Sequence, residues 1–362
     1  MISSPDTPRA IPGSAFTVDA RDFPANAPMR EQVLFLLRYA ILAPSTHNTQ
    51  PWKFAPHQHG VEVFADYTRR LPAVDPGSRE LLMSVGAAIM NLRVAAAHFG
   101  IACRVDYDYS GGSERPLAMI ALSPGDRPAA PPPVPGHEPL AALFPAITRR
   151  MTNRQPFLVS RVPAVVLRQL EAIAVEYQCR LVVSTDGKRN DQVADLVAQG
   201  DRLLLADPAY RRDVAEWIRA DALAAEDGIP ASALGLSPGV SPIAAWSARV
   251  LDPGTRRAAE DRNLCVDAPA LITIAGDDTP PAFLEAGELL ERVLLAMTLE
   301  GIQTSYFNMP VQVPELRLRL RSLLELPTWP QLLLRAGYSS TDGVRTARRP
   351  LEDMMVPNER VF

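Results

Sequence analysis

The chain has 362 residues, more than a single hydrophobic core usually serves, so its length predicts two domains or a duplicated unit. Hydrophobic residues make up 47% and charged residues 22%, the proportions of an ordinary soluble globular protein. Lys and Arg number 37 against 41 Asp and Glu, and this net charge of −4 argues against nucleic acid or an anionic membrane as a partner.

The first half of the chain is predicted to hold an amphipathic helix, a polar loop and paired strands. Residues 1–28 are rich in proline and predict an extended segment. From Met29 onward, one helix face is predicted from the i, i+3, i+4, i+7, i+8 spacing of Val33, Leu36, Leu37, Ala40 and Ile41. After the loop, residues 52–54 and 61–64 alternate like paired strands.

A second helix is predicted to be central, and a linker follows it. Residues 79–99 are apolar on nearly all sides, which is typical of a buried helix, and strands are predicted at 101–107 and 117–122. Residues 124–139 hold seven prolines in 16 positions, a density that neither a helix nor a sheet accommodates. We therefore expect an extended linker between a first unit, 1–123, and a second unit, 140–362.

The second unit shows the same kinds of element and one irregular segment. Its regular elements are predicted as helices at 165–175 and 283–300, polar helices up to about residue 221, and strands at 180–184, 270–275 and 332–336. Residues 228–254 mix Gly, Pro and Ser with apolar residues but have no regular period, which is typical of a lid or binding loop.

An internal repeat relates the two units. Gly86 and Gly100 match Gly287 and Gly301 at a constant offset of 201 positions, since 287 − 86 and 301 − 100 are equal. In each copy an apolar helix is followed by Gly-Ile and a strand. The predicted fold class is therefore α/β (α+β): a tandem duplication whose two central helices pack together in an intramolecular pseudo-dimer.

Cysteines and apolar runs indicate the compartment. Cys103, Cys179 and Cys265 are scattered without a C-x-x-C pair, which is typical of free thiols in a reducing environment. No apolar run approaches the ~18 residues of a membrane helix. Residues 1–20 lack the continuous apolar core of a signal peptide. We expect a cytoplasmic protein without a membrane partner.

Two polar motifs are the candidates for a binding site. The first, residues 43–52, reads APSTHNTQPW: Pro44 ends the preceding helix, and the hydroxyls and amides that follow can bind the edge of a flat ligand. The second, residues 149–154, reads RRMTNR and offers three guanidiniums and a hydroxyl. Taken alone, the first motif also fits a polar turn, and the second also fits a solvated basic turn.

Together these motifs resemble those of the nitroreductase superfamily. Ala43, Pro44, Ser45, Asn48, Gln50, Pro51 and Trp52 match its flavin loop A-P-S-x-x-N-x-Q-P-W, and Arg150, Thr152 and Arg154 match its R-x-S-x-R motif with Thr for Ser. His47 before Asn48 resembles the Acg branch, in which two nitroreductase units are fused. The resemblance implies FMN as the cofactor, with NAD(P)H as a donor that docks over the flavin.

The resemblance also implies one flavin site per chain. In the family, each site of a homodimer takes the R-x-S-x-R motif (the Arg motif, residues 149–154 here) from one subunit. It takes the A-P-S-x-x-N-x-Q-P-W loop (the amide loop, residues 43–52 here) from the other. Here the first unit keeps only the loop and the second keeps only the Arg motif. The chain can thus form a site as a monomer, and further homodimerisation stays open.

The site residues implied by the resemblance come from both units. They are Pro44, Ser45, Thr46, His47, Asn48, Gln50, Arg150, Thr152, Arg154, Asn308, Arg348 and Arg349. Asn308 is expected nearest the flavin N5, and Arg348 and Arg349 at the phosphate. His47 is a candidate general acid, although one imidazole does not establish that role. His57 and His59 have no Cys or carboxylate cluster beside them, so we predict no metal site.

Three functions are compatible with this pattern. The first is an FMN-dependent oxidoreductase that takes hydride from NAD(P)H or another donor and reduces a nitroaromatic, a quinone or a similar small acceptor. The alternative is an FMN storage or sequestration protein with little turnover, suggested by the segment 228–254. A flavin-free interaction fold is the third, but it leaves the complementary retention of the two motifs unexplained.

Overall fold

A computed structural model describes residues 15–108, 115–125, 139–219, 225–234 and 254–356. The start of the predicted extended segment, most of the predicted linker and residues 235–253 of the predicted lid lie outside the described residues. Residues 15–17 and 20–22 form 3-10 turns rather than extended chain, because Phe16 and Val18 pack against the core and Phe23 stacks on Phe99 at 4.1 Å.

The described part of the first unit contains two helices and four strands close to the predicted bounds. They are α1 (Met29–Ala40), β1 (Trp52–His57), β2 (Gly60–Ala65), α2 (Arg79–His98), β3 (Ile101–Tyr107) and β4 (Ala118–Pro124). In α1, Val33, Leu36 and Leu37 are buried on the predicted face. The β1–β2 turn uses Gly60, where φ is +151° and a Cβ would lie 1.8 Å from the Ile120 carbonyl oxygen.

The second unit contains eight helices and six strands among its described residues. They are α3 (Phe144–Ile147), α4 (Ala164–Ala174), β5 (Arg180–Ser184), α5 (Gly187–Ala206), α6 (Pro208–Glu216), β6 (Ile218–Arg219), β7 (Ile229–Pro230), α7 (Gly254–Val266), β8 (Ala270–Gly276), α8 (Pro280–Leu299), β9 (Gln303–Tyr306), α9 (Met309–Gln312), α10 (Pro314–Leu323) and β10 (Trp329–Gly337). The helices α7, α9 and α10 were not predicted from the sequence.

Two four-stranded antiparallel sheets share one strand order. The first sheet runs β1-β2-β4-β3 and the second β5-β8-β10-β9, so each has its first, second, fourth and third strands side by side. In both, a long helix, α2 or α8, connects the second strand to the third. The two units therefore have the same connectivity around their sheets.

The sheets differ in how they are covered. In β4, Ala118, Ile120 and Leu122 are buried while Met119 is 50% exposed, because only one face of the first sheet packs on the core. All seven residues of β8 are buried, with alternate side chains entering two different apolar clusters. The second cluster is formed with α5, α7 and α10, which explains why β8 reads as a continuous apolar run.

The two central helices pack directly on each other at glycines. A Cβ on Gly86 of α2 would lie 2.1 Å from the carbonyl oxygen of Leu284, and a Cβ on Gly287 of α8 would lie 2.0 Å from that of Met83. Only residues without a side chain allow the two backbones to come this close. This confirms the predicted contact between the central helices.

Helix α2 also corrects one sequence expectation. Among the described residues it is long and apolar enough, by composition, to cross a membrane, although no such run was predicted. In the structure, 83% of this stretch is buried, since α1, the first sheet and α8 surround it. Its hydropathy follows from its central position in the core.

Candidate functional site

A cavity lies where the two predicted motifs meet. Its empty space is about 1180 Å³ including the open mouth. Ten of the twelve sequence-predicted site residues line it: Pro44, Ser45, Thr46, His47, Asn48, Arg150, Thr152, Arg154, Asn308 and Arg348. The loop comes from the first unit and the arginines from the second, so both units contribute to one cleft.

The loop at 43–52 has a backbone that few sequences adopt. His47, Asn48 and Gln50 have φ of +51°, +57° and +51°, in the left-handed region that costs non-glycine residues free energy. The Ser45 hydroxyl stabilises this turn by accepting a hydrogen bond from the Gln50 amide nitrogen at 2.9 Å. The loop is therefore held in a single unusual shape at the rim of the cavity.

Arg348 shapes the loop from behind. Its Nε donates to the Ile41 carbonyl at 2.9 Å, its Nη2 donates to Leu42 and Ala43 at 3.0 and 2.9 Å, and its Nη1 donates to Asn48 Oδ1 at 3.0 Å and to Thr346. These carbonyls follow the end of α1, where backbone acceptors lack helical partners. Since protein acceptors engage all three guanidinium nitrogens, Arg348 acts on the loop rather than on the expected phosphate.

Gln50 and Arg349 lie outside the cavity lining. The Gln50 side chain is fully buried, accepts from the Arg349 amide nitrogen at 2.9 Å and donates to the Glu226 carbonyl at 2.9 Å. The Arg349 guanidinium turns away and donates to the Asp353 carbonyl at 3.0 Å. Gln50 and Arg349 thus join the loop to the C-terminal tail and to residues near 226. Neither lines the cavity in which both were expected to contact the flavin.

Asn48 is also used mainly within the protein. Its Nδ2 donates to the carbonyls of Gly228 and Ala347 at 3.0 and 3.1 Å. In return, the Gly228 amide nitrogen donates to the Asn48 backbone carbonyl at 3.2 Å. These bonds connect the loop with the described start of the segment 228–254. Ile229, the next residue of that segment, lines the cavity.

The Arg motif extends the second sheet into the cavity wall. Thr152 forms a parallel bridge with Thr304 of β9, and the Asn153 amide nitrogen donates to the Thr304 carbonyl at 2.9 Å. The buried Asn153 side chain donates to the Thr341 carbonyl at 2.7 Å. This bridge places Arg150, Thr152 and Arg154 on the lining.

The cavity carries more positive charge than its own carboxylates neutralise. Arg150, Arg154, Arg345 and Arg348 line it, against Glu80 as the only acidic residue among its described lining residues. No hydrogen bond or ion pair joins Arg154 to another residue in the described part of the chain. Burial, followed by the nearby charge of Arg257, lowers the pKa of Arg154. An anion in the cavity would relieve this repulsion.

Arg150 has one buried counter-ion. Its Nε lies 3.5 Å from Glu291 Oε1, and the Glu291 side chain is fully buried on α8. Burial raises the pKa of Glu291 to about 7, although Arg150 and Arg348 oppose the shift. Near neutral pH this carboxyl therefore offsets only part of the positive charge of the cavity.

Burial argues against an acid role for His47. The pKa of His47 is lowered to about 4, first by burial and then by the charge of Arg154. At neutral pH the imidazole is therefore neutral, and its buried Nδ1 has no hydrogen-bond partner among the residues that the structure describes. A neutral ring can contact a ligand but holds no readily released proton.

Asn308 is in place, but its side chain oxygen is engaged. Asn308 Oδ1 accepts from the Leu333 amide nitrogen at 3.0 Å, so it fixes the end of β9 against β10. Sequence reasoning missed Glu80, Tyr210, Tyr306, Gln312 and Arg345 on the lining. Glu80 had a local signal, as one of few charged residues in a largely apolar helix.

Comparison with known proteins identifies relatives of this chain. No family model matches the chain. It is 31% identical over 339 residues to "Putative NAD(P)H nitroreductase acg" of Mycobacterium tuberculosis H37Rv, covering 88% of this chain and 93% of that protein. The chain belongs to the nitroreductase superfamily. A second relative, "Putative NAD(P)H nitroreductase Rv3131" of the same strain, is 29% identical over 318 residues and 86% of each chain.

A solved nitroreductase aligns with about three-fifths of this chain. The FMN-dependent nitroreductase NfnB of Mycobacterium smegmatis, crystallised with NADPH, aligns with 59% of this chain and 97% of its own, at 15% identity and a TM-score of 0.38.

The residues of this nitroreductase cavity fit an FMN molecule. Arg154 has no partner in the described chain, and Arg345 leaves donors free beyond its bond to the Thr148 carbonyl at 2.6 Å. Such guanidiniums suit a phosphate dianion. Within the described ranges, the buried Tyr306 hydroxyl and His47 Nδ1 have no hydrogen-bond partner, and both residues line the same cavity, as polar groups for a heterocyclic edge would.

Proposed function

We propose that this chain is an FMN-dependent oxidoreductase of the nitroreductase type. NAD(P)H or another small donor would supply the electrons, and a nitroaromatic, a quinone or a similar small acceptor would receive them. The single observation that carries the proposal is one cavity lined by the amide loop of the first unit and by the arginines of the second. Relatives named as NAD(P)H nitroreductases support the same reaction class.

The chain's own residues have separate parts in this function. Arg154 and Arg345 would hold the phosphate, because they keep unpaired donors at the lining. Arg348, Asn48 and Gln50 would keep the loop in its left-handed shape at the flavin edge. Bound FMN supplies hydride transfer, and the protein supplies position, charge and exclusion of water.

We further propose that the chain is a tandem duplication with one site per monomer. The shared strand order of the two sheets and the reciprocal glycine contacts of α2 and α8 support this origin. The loss of one motif from each unit then leaves one complete site between them. A protein that binds one FMN per chain while monomeric in sedimentation would support it, and a stoichiometry of two would contradict it.

The decisive experiment follows the flavin spectrum. We expect the purified protein, supplied with FMN, to show a flavin band that NADPH or NADH bleaches under anaerobic conditions and that an added quinone restores. Protein that remains colourless after incubation with FMN would overturn the proposal.

An FMN storage role is the second candidate. It is favoured by the bonds that tie Glu226 and Gly228 to the amide loop, since they close the described start of the segment 228–254 against the cavity. In that case FMN would bind tightly, and dithionite would bleach it, but neither nicotinamide would. Bleaching by NADPH at a rate that supports turnover would exclude storage as the main role.

A further inference from the structure

Glu80 is a buried carboxyl at the cavity that the proposed function has not used. It stands in the first turn of α2, is 3% exposed and lines the cavity. Its Oε2 lies 2.9 Å from the Thr46 hydroxyl, and its Oε1 accepts from Gln312 Nε2 at 2.9 Å. The Tyr210 hydroxyl donates to Gln312 Oε1 at 3.4 Å, so a hydrogen-bonded chain leads from Tyr210 through Glu80 to Thr46.

The charges around Glu80 favour a stored proton. Asp75, before α2, and Glu80 share one nearby cation, Arg79, whose Nη2 lies 3.4 Å from Glu80 Oε1. Arg79 is also engaged by the carbonyl of Gln331. Burial raises the pKa of Glu80, against the lowering effect of Arg79, and the carboxylate of Asp75 raises it further. Two buried carboxyls beside one guanidinium retain a proton at a pH where free glutamate is ionised.

The other groups facing Glu80 do not supply that proton. Gln312 on α9 is an amide, and the Tyr210 hydroxyl on α6 has a pKa raised by burial. His47, beside Thr46, is neutral at the same pH because its pKa is about 4. Among the charged and titratable groups named in these paragraphs, Glu80 is the one that retains a proton and also contacts Thr46, which lines the cavity.

We propose that Glu80 provides the proton that must accompany the hydride in reduction of the acceptor, and that the Thr46 hydroxyl relays it into the cavity. This inference rests on the proposed function. Thr46 is suited to the relay because a hydroxyl both donates and accepts. The bond over 2.9 Å is short enough for transfer from Glu80 Oε2 to Thr46 Oγ1.

The step balances for a quinone acceptor. A reduced nicotinamide gives up two electrons and one proton as hydride. The nicotinamide is thereby oxidised to its cation. At the second quinone oxygen, the Thr46 O–H bond breaks and an acceptor O–H bond forms. The Glu80 O–H bond breaks at the same time and a new Thr46 O–H bond forms, leaving hydroquinone and a Glu80 carboxylate beside Arg79. Solvent returns one proton to Glu80 before the next turnover.

The test separates the proton from the electrons. Protein loaded with FMN is reduced by dithionite and then mixed either with a quinone, which takes up protons, or with ferricyanide, which takes none. In Glu80→Gln and Thr46→Val we expect the ratio of quinone rate to ferricyanide rate to fall about 100-fold, the scale of general acid catalysis. Thr46→Ser restores the hydroxyl and should recover most of the ratio.

A second readout requires no flavin. Infrared difference spectra of the flavin-free protein between pH 5 and pH 9 should show carbonyl bands of protonated carboxyls, to which Glu291 with its pKa of about 7 also contributes, and Glu80→Gln should remove one of them. An unchanged set of bands in Glu80→Gln, or an unchanged rate ratio in Thr46→Val, overturns the relay. Failure of NADPH to bleach the flavin would refute the proposed donor instead, since dithionite bypasses it.

Discussion

Arg348 and Asn48, 300 positions apart, are joined by a hydrogen bond of 3.0 Å from Nη1 to Oδ1. The same guanidinium engages three carbonyls beyond the end of α1. The C-terminal tail therefore completes the helix end and the loop that the N-terminal unit brings to the cavity. Formation of the site depends on a contact between the two ends of the described chain.

Removal of this contact should destabilise the protein. Arg348→Ala leaves the carbonyls of Ile41 and Ala43 without this donor and Leu42 with only the longer bond from Arg150 Nη2 at 3.4 Å, and each buried unsatisfied group costs about 1–3 kcal/mol. We expect the free energy of unfolding in urea to fall by about 3 kcal/mol or more. Arg349→Ala is the matched control, because within the described chain its guanidinium donates only to the exposed Asp353 carbonyl. Equal losses in both variants would contradict the assigned role.

The unpaired arginine should dominate FMN affinity. Arg154→Ala removes a charge-assisted contact to the phosphate worth about 1.5–3 kcal/mol, which corresponds to a rise in the FMN dissociation constant of roughly 10- to 150-fold. Quenching of FMN fluorescence on binding measures it. Arg149→Ala is the control within the same motif, since Arg149 is exposed and bonds the Thr298 carbonyl at 3.4 Å. Unaltered affinity in Arg154→Ala would place the phosphate elsewhere.

The helix contact predicts a large effect from a single methyl group. Gly86→Ala would force the α2 and α8 backbones apart, because the new Cβ meets the Leu284 carbonyl at 2.1 Å. Overpacking of this kind costs about 1–3 kcal/mol or more, so the urea midpoint should fall. Gly187→Ala, in a helix with nothing within 4 Å, should be neutral or slightly stabilising. A tolerated Gly86→Ala would show that the helices separate easily.

His47 should make the stability of the flavin-free protein depend on pH. Its folded pKa of about 4 lies below the value of 6.5 expected when unfolded, so the unfolded state binds more protons between these values. The contribution of His47 is complete above pH 6.5 and is lost as the pH falls towards 4. Urea unfolding at pH 7 and pH 5 should therefore show a larger loss in the wild type than in His47→Asn.

Asn is the suitable replacement at this position. It tolerates the left-handed φ of +51° and does not titrate in this range. An identical pH dependence in wild type and His47→Asn would show that His47 is not the buried neutral group inferred here.

Local patterns in the sequence were sufficient for most elements. The helices α1, α2, α4 and α8 and the long strands lie within a few residues of their predicted bounds, because their apolar periods are regular. The helices α9 and α10 were missed; both carry a proline in the first turn, Pro310 and Pro314, where proline is accommodated. In the same way, Phe16 appeared to belong to a loose extension but lines the cavity.

The sequence by itself predicted two α/β units, and it determined two central helices with matching glycines and a pair of motifs that belong to one superfamily. These features rest on neighbours along the chain and on short fixed spacings. Only the tertiary structure decided which polar groups face the cavity. It turned Arg348 and Gln50 inward to carbonyls and amides of the protein, left Arg154 unpaired, and brought Glu80 to Thr46. Packing selects hydrogen-bond partners that are tens to hundreds of residues apart in the sequence. The local spacing of residues therefore cannot predict them.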